Sequence, residues 1–470
     1  MSTPAFRIEK DSLGEIRIPA NAYWSTTTQR AVESYPISGL MAHPKFVDAY
    51  VILKLAAARA NKAAKAIEAK QADAIVKACQ EILDGKLRDQ FVVDVFQMGA
   101  GTSFHMNVNE VVANRANEIL GGKLGEYKFL DANNHVNFGQ STNDTFPTAM
   151  RLACLLMLRD HLDEPMAKLE AALRAKGKEF DRILKSARTH LQDAVPIRLG
   201  QEFKAYAESI KYCAAFINHA RKSVCELGIG GSAAGTGLNT AKGYREAIVK
   251  EMAKVSGITD LKPSKDMCEA MQSQRPIAEL SAGLRNLALE VSRICNDLRL
   301  LCSGPTTGLG EIVLPSIAPG SSIMPGKVNP SMPEMANMAC FEVIGNDTAV
   351  SWAVGAGQLE LNVMMPLMAY KMNSSIHVMG ATLNQLADLC IAGIKANEKK
   401  CKQYAEGSMS LATALNAYIG YKEAAAVVKQ AIAEEKTIIQ VVRERALLTE
   451  AQIKKIMDPI AMTKPGIPGK

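Results

Sequence analysis

What this sequence lacks narrows it first. Aromatic residues are 5% of the 470, with only 2 tryptophans, and charged residues break every apolar run before it reaches the ~18 to 20 residues needed to cross a bilayer. With a mean hydropathy of -0.02, an integral membrane protein is not expected, nor is a membrane partner. The start, MSTPAFRIEKDSLGEIRIP, has no basic patch followed by an apolar core and a small-residue cleavage site, so it does not read as a secretory signal and the expected location is cytoplasmic. There is no CxxC pair; the ten cysteines (Cys79, Cys154, Cys213, Cys225, Cys268, Cys295, Cys302, Cys340, Cys390, Cys401) are scattered through apolar, helix-like contexts and are expected to be reduced core residues. Charge of one sign is also scarce: 55 Lys+Arg against 48 Asp+Glu leaves +7. The densest basic run, around Lys399, Lys400 and Lys402, has no interleaved aromatics for base stacking, so no nucleic acid is expected as a partner. At 48% hydrophobic and 22% charged, the composition is that of a folded chain of two to four domains.

What is present is long helical periodicity. From Gln201 to Leu227 the apolar or small positions Phe203, Tyr206, Ile210, Cys213, Ile217, Ala220, Val224 and Leu227 form a heptad seam. A helix over that span is about 40 Å long. After Gly283, the residues Leu284, Leu287, Val291, Ile294, Leu298 and Leu301 repeat the pattern until Gly304-Pro305. Phe216, Leu289 and Leu300 fall off these seams, giving each helix more apolar surface than one partner covers, as in a large or oligomeric bundle. Three regions are expected: a mixed segment 1–142 with extended pieces and a helix from Phe46 to Ala69, a central bundle 143–398, and a small helical segment 399–470 ending in a loose KPGIPGK tail.

The segment Gly320 to Pro330, GSSIMPGKVNP, has neither helical nor strand period, yet it gathers two hydroxyls, a lysine, an asparagine and several Gly or Pro residues. It reads as an anion-binding loop. Small residues allow close backbone approach, Lys327 and exposed N–H groups can hold a carboxylate or phosphate, and Ser321 or Ser322 can exchange a proton. It is not a nucleotide-binding P-loop, because five residues separate Gly320 from Gly326 and Val328 follows Lys327.

This loop closely resembles the signature of the aspartase/fumarase superfamily, whose members eliminate a group from the carbon next to a carboxylate and release fumarate. Further segments resemble the same family in order: Gly99 to Val111, Gly139 to Ala149, Arg188 to Glu202, Gly231 to Asn239 and Gly357 to Pro366. The resemblance implies an all-α, three-domain fold whose long central helices form the core of a homotetramer, with active sites shared between chains. It also implies a small dicarboxylate or amino-acid substrate and no organic cofactor, leaving divalent-cation activation open.

Carried over by motif match, Ser321 resembles the catalytic base, and Lys327 and Asn329 resemble the residues that hold a substrate carboxylate, beside Ser322. Thr102, Ser103, Ser141, Thr142, Asn143 and Thr189 match substrate-binding positions, although Ser141 to Asp144 ahead of Pro147 is also a ready helix start. His190 matches a histidine near the leaving group and Glu334 its carboxylate partner. His43, His135, His161, His219 and His377 carry no motif and are assigned no chemistry.

The motif edges (Thr142, Val195, SMPEM after Pro330, GQLELNVMMP) are more similar to aspartate ammonia-lyases than to class II fumarases, which remain the alternative. A binding module or a crystallin-like scaffold that has lost catalysis is disfavoured, because Ser321, Lys327, Asn329, His190 and Glu334 are all present. Three positions depart from the family pattern: His105 where Asn is usual, Ser25 for a glycine, and Thr306 for an arginine.

Overall fold

The computed structural model describes residues 5–470, so the first four residues of the N-terminal stretch lie outside the described residues. Helix dominates. Among the described residues, the sheets are four small two-stranded ones. Two are hairpins: β1 (Phe6–Asp11) with β2 (Gly14–Pro19), pairing Phe6 with Pro19, and β3 (Leu184–Thr189) with β4 (Gln192–Arg198).

Three helices bring the N-terminal motifs together. Helix α1 (Pro44–Ala63) starts with proline in its first turn, where a missing N–H costs nothing, and His43 accepts from the Lys45 N–H through Nδ1 at 3.2 Å. Almost every residue from Phe46 to Ala60 is buried. Helices α2 (Thr102–Ile119) and α3 (Thr142–Met157) pack against it through an aromatic cluster, in which Phe46 lies 5.1 Å, ring centre to ring centre, from both Phe104 and Phe146.

The expected long helices are α4 (Leu199–Val224) and α5 (Arg275–Leu301), joined by α6 (Ser331–Gly355) and α7 (Met365–Leu389). Every residue of both heptad seams is buried, while Phe216, Leu289 and Leu300 are exposed. One seam residue is not helical. Leu227 lies past the end of α4, in a two-residue parallel pairing with Pro263, and is buried there.

The chain forms two compact units. The first comprises the described part of Met1–Glu164 with Cys213–Ala288 and Cys340–Ala381; the second comprises Pro165–Tyr212, Leu289–Ala339 and Thr382–Lys470. In the first, the buried Ser281 of α5 donates to Asp347 of α6 at 2.6 Å, and Asn346 of α6 donates to Ser375 of α7 at 3.2 Å. In the second, Tyr206 of α4 donates to Asp297 of α5 at 3.1 Å, and Asn337 of α6 donates to Ser292 of α5 at 2.8 Å. These bonds fix the register of helices that apolar seams alone would let slide. The C-terminal helices hold a core of their own, with Leu415, Val427, Val441 and Ile453 at its centre. Eight of the ten cysteines are buried, as expected; Cys268 is exposed in the first turn of a short helix and Cys302 is half-buried just past α5, so neither is a core residue. No helix of the described residues is long and apolar enough to cross a membrane.

Candidate active site

In the first unit the candidate residues gather at helix starts. Ser141 caps α3, its Oγ accepting from the Asn143 N–H at 3.2 Å while its own N–H donates to Asp144 Oδ1 at 2.9 Å. The helix-start reading of this motif is therefore realised, and it leaves Thr142 and Asn143 half-buried at the positive end of α3, where an anion is favoured. The second oxygen of Asp144 accepts from the N–H groups of Gly230 and Ser232, each at 3.0 Å, and Asn143 Nδ2 donates to the Ala233 carbonyl at 2.8 Å. Two motifs nearly ninety residues apart are thus stitched into one. Burial pushes the Asp144 carboxyl up to about 7, opposed by these amide donors.

Thr102 opens α2. The preceding Gly101 has φ +85°, and a Cβ there would come within 2.0 Å of the Phe146 ring, so only glycine lets α2 begin against α3. Ser103 is buried and lines a cavity of about 1020 Å³ with Ser25 and Glu110, which none of the other candidate residues lines. Ser25 precedes the helix Thr26–Ser34 and uses the side chain that a glycine lacks: its Oγ donates to Glu9, while its N–H donates to the buried Glu110 at 2.8 Å. Thr306 lies exposed in a turn.

In the second unit, Thr189 and His190 sit exposed at the tip of the β3–β4 hairpin. His190 and Leu191 both have positive φ, at +56° and +59°, the geometry of a two-residue hairpin turn that glycine or asparagine usually fills. Such strain in non-glycine residues concentrates at functional sites. Beneath the tip, the fully buried Glu311 takes Lys185 and Arg188, each at 2.8 Å, and Lys185 also reaches Glu202 at 2.7 Å. Arg188 and Lys185 are β3 residues, so this ionic knot holds the strand that carries Thr189.

The Ser321 loop, also in the second unit, closes at its root. A Cβ on Gly320 would fall 1.7 Å from the Lys327 carbonyl oxygen, and Asn329 Nδ2 donates to the Gly320 carbonyl. Ser321 Oγ accepts from the N–H groups of Ile323 at 3.2 Å and Met324 at 3.0 Å. Two amide dipoles aimed at one hydroxyl oxygen stabilise its ionised form, which a serine needs to act as a base. Ser322 and Lys327 are exposed, as is the apolar tip, with Ile323 82% accessible. Glu334 is half-buried in the first turn of α6. Among the described residues, no hydrogen bond or ion pair joins His190 to Glu334 within one chain, and no three His, Cys, Asp or Glu side chains converge as a metal site.

Sequence reading missed Lys54, Asp144 and Glu311. Lys54 is fully buried behind Thr142, and burial lowers its ammonium to about 7. Its signal was available: it is the lone charge in the apolar run Val51 to Ala58, four residues after Tyr50 on the same face.

Comparison with known proteins gives the family of the chain. The family described as Lyase matches residues 14–345, and the Fumarase C C-terminus family matches residues 411–464. The chain is 45% identical to the aspartate ammonia-lyase of Bacillus subtilis over 99% of its length and 98% of that protein. A crystal structure of fumarate lyase:delta crystallin from Brucella melitensis bound to cobalt is 45% identical, with a TM-score of 0.94 over 98% of this chain and 100% of that one. Class II fumarase from Schistosoma mansoni overlaps with a TM-score of 0.96 at 34% identity, over 98% of this chain and 100% of that one. With the loop, the helix starts and the long helices all in the family's order, the chain belongs to the aspartase/fumarase superfamily of lyases.

Proposed function

We infer that the protein is an aspartate ammonia-lyase, a carbon–nitrogen lyase that reversibly eliminates ammonia from L-aspartate to give fumarate. The observation that carries the chemistry is the pair of N–H groups on Ser321 Oγ. The ionised hydroxyl takes the proton from the carbon beside the distal carboxylate, that electron pair becomes the new double bond, and the carbon–nitrogen bond breaks to release ammonia. Lys327, Asn329 and Ser322 hold the carboxylate that gains charge, Thr102, Ser103, Ser141, Thr142, Asn143 and Thr189 orient the rest, and His190 stands near the leaving group. No organic cofactor takes part.

Because His190 and Glu334 do not meet within one chain, we assign their pairing to different copies in a homotetramer. The long helices support this: Met338, Phe341 and Trp352 on α6 and Tyr212 and Phe216 on α4 are large apolar side chains left in water, Trp352 at 79% exposure. The expected location is the cytoplasm.

A class II fumarase is the second reading, supported by the overlap with the Schistosoma mansoni enzyme. The higher identity to aspartate ammonia-lyase, 45% against 34%, favours the first. Incubating the protein with fumarate, with and without ammonium, and identifying products by NMR separates them. Aspartate formed only with ammonium supports the ammonia-lyase; malate formed without ammonium establishes the fumarase; no product in either tube returns the chain to a non-catalytic scaffold.

A further inference from the structure

His105 is buried on α2, one turn from Thr102, and both its ring nitrogens are engaged. Nδ1 is 2.6 Å from Thr142 Oγ1. Nε2 faces Lys54 Nζ at 3.0 Å, Asn109 Nδ2 at 3.0 Å and Asn137 Oδ1 at 2.8 Å. Lys54 Nζ has three acceptors for its three protons: His105 Nε2, Asn137 Oδ1 at 3.2 Å and Gln140 Oε1 at 2.9 Å. The ring also stacks on Tyr50, 5.8 Å between centres.

The amide oxygens of Asn137 and Gln140 facing Nζ favour its ammonium form, which has only protons to offer. Nε2 faces two donors, Lys54 Nζ and Asn109 Nδ2, and one acceptor, Asn137 Oδ1, which itself takes a Lys54 proton at 3.2 Å; with the lone pair on Nε2 shared between the two donors and the ring proton on Nδ1, the ammonium sits between two acceptors, Nε2 and Oδ1. Nδ1–H then donates to Thr142 Oγ1, which directs the threonine's own proton away from the histidine. Among the described residues Thr142 Oγ1 has no other hydrogen-bond partner, and Thr142 is half-buried at the α3 start, so its proton is free for an anion there.

We propose that His105 is a positioning residue that acts through Thr142, its tautomer fixed by Lys54, so that the Thr142 hydroxyl is held as a donor to a carboxylate of the four-carbon substrate. This rests on the ammonia-lyase reading. The histidine does not touch substrate; it decides which way the hydroxyl that does so points.

The test is a set of variants in the full-length protein. His105→Phe keeps the stacking ring and removes the donor; His105→Asn returns an amide nitrogen to the place of Nδ1; Lys54→Met removes the donor at Nε2 in a side chain of similar length. Losing one hydrogen bond to a charged group is worth about tenfold. Expected are a KM for aspartate raised about tenfold in His105→Phe and Lys54→Met with kcat changed less, recovery to within about threefold in His105→Asn, and no added effect of His105→Phe in a Thr142→Val background. A wild-type KM in His105→Phe, no recovery with His105→Asn, or losses that multiply with Thr142→Val would each overturn the proposal. Succinate titration read by thermal shift makes the same comparison without turnover. Wild-type protein that binds succinate but leaves aspartate untouched therefore defeats the ammonia-lyase reading, whereas equal succinate affinity in wild type and His105→Phe defeats the role of His105.

Discussion

Asp144 Oδ2 lies 3.0 Å from the backbone nitrogen of Gly230, and through that bond the start of α3 and a loop far along the chain share one buried carboxylate. Asn in its place turns an N–H toward the N–H groups of Gly230 and Ser232. Asp144→Asn is expected to destabilise the chain by roughly 2 to 4 kcal/mol, since bonds to a charged acceptor are lost and amides are left unpaired. Urea denaturation reads this directly. An unchanged midpoint would mean that the loop finds other partners.

Ser321→Ala removes the acceptor of two exposed-loop N–H groups and the base together. Turnover is expected to fall by at least ~10³-fold with an unchanged melting temperature, because no core contact is lost. Gly320→Ala forces the loop root apart, since the added carbon lands on the Lys327 carbonyl. It is expected to lower kcat by ~10 to 100-fold through mispositioning alone. Steady-state kinetics beside a melting curve checks both.

Glu311→Gln leaves the half-buried Arg188 without its counter-charge and the buried Lys185 with Glu202 alone. Breaking a buried pair from one side costs about 3 to 5 kcal/mol. The expected result is a lower denaturation midpoint together with a raised KM, because the hairpin bearing Thr189 loses its anchor. A variant with normal KM but lowered stability would confine Glu311 to folding.

His43, His161 and His377 gather with ring centres 5.5 to 6.3 Å apart. Burial first, then repulsion from His377, His161 and Lys45 with slight relief from Asp48, lowers His43 from 6.5 to about 4. The folded value lies below the unfolded one, so as pH falls the unfolded chain takes the proton first, and stability drops between about pH 6.5 and 4. Comparing denaturation midpoints at pH 7 and 5 should show the loss, and His43→Gln should flatten it.

Trp352→Glu or Phe341→Glu places a charge on the uncovered face of α6. Light scattering on a sizing column is expected to show species smaller than a tetramer, with activity lost in parallel. A tetramer that survives both changes would place the contact elsewhere.

The long helices were legible because a heptad seam records burial in the spacing itself: every seam residue of α4 and α5 is buried, and the three off-seam residues are exposed. The Ser321 loop was legible because nothing but function concentrates such residues. Asp144 and Glu311 were not read, since each works by pairing with residues distant in sequence, and periodicity carries no record of pairing; Lys54 is marked as the lone charge in an apolar run, but the run does not say what it pairs with. Ser141 was read two ways, as cap and as site, and its geometry serves both: the cap orients the helix start on which its neighbours sit. His105 stood out only as a misfit, because its meaning depends on Lys54 and Thr142 lying on either side of it.

The bare apolar face of α6 also bears on biosynthesis. A newly made chain carries Trp352 and Phe341 into water well before its C-terminal helices are complete, and in the proposed tetramer it hides them only on meeting other copies. Until then, holdases and proteases compete with assembly for the same surface. The yield of working enzyme should therefore climb more steeply than its rate of synthesis, and a cell making little of it would keep disproportionately less.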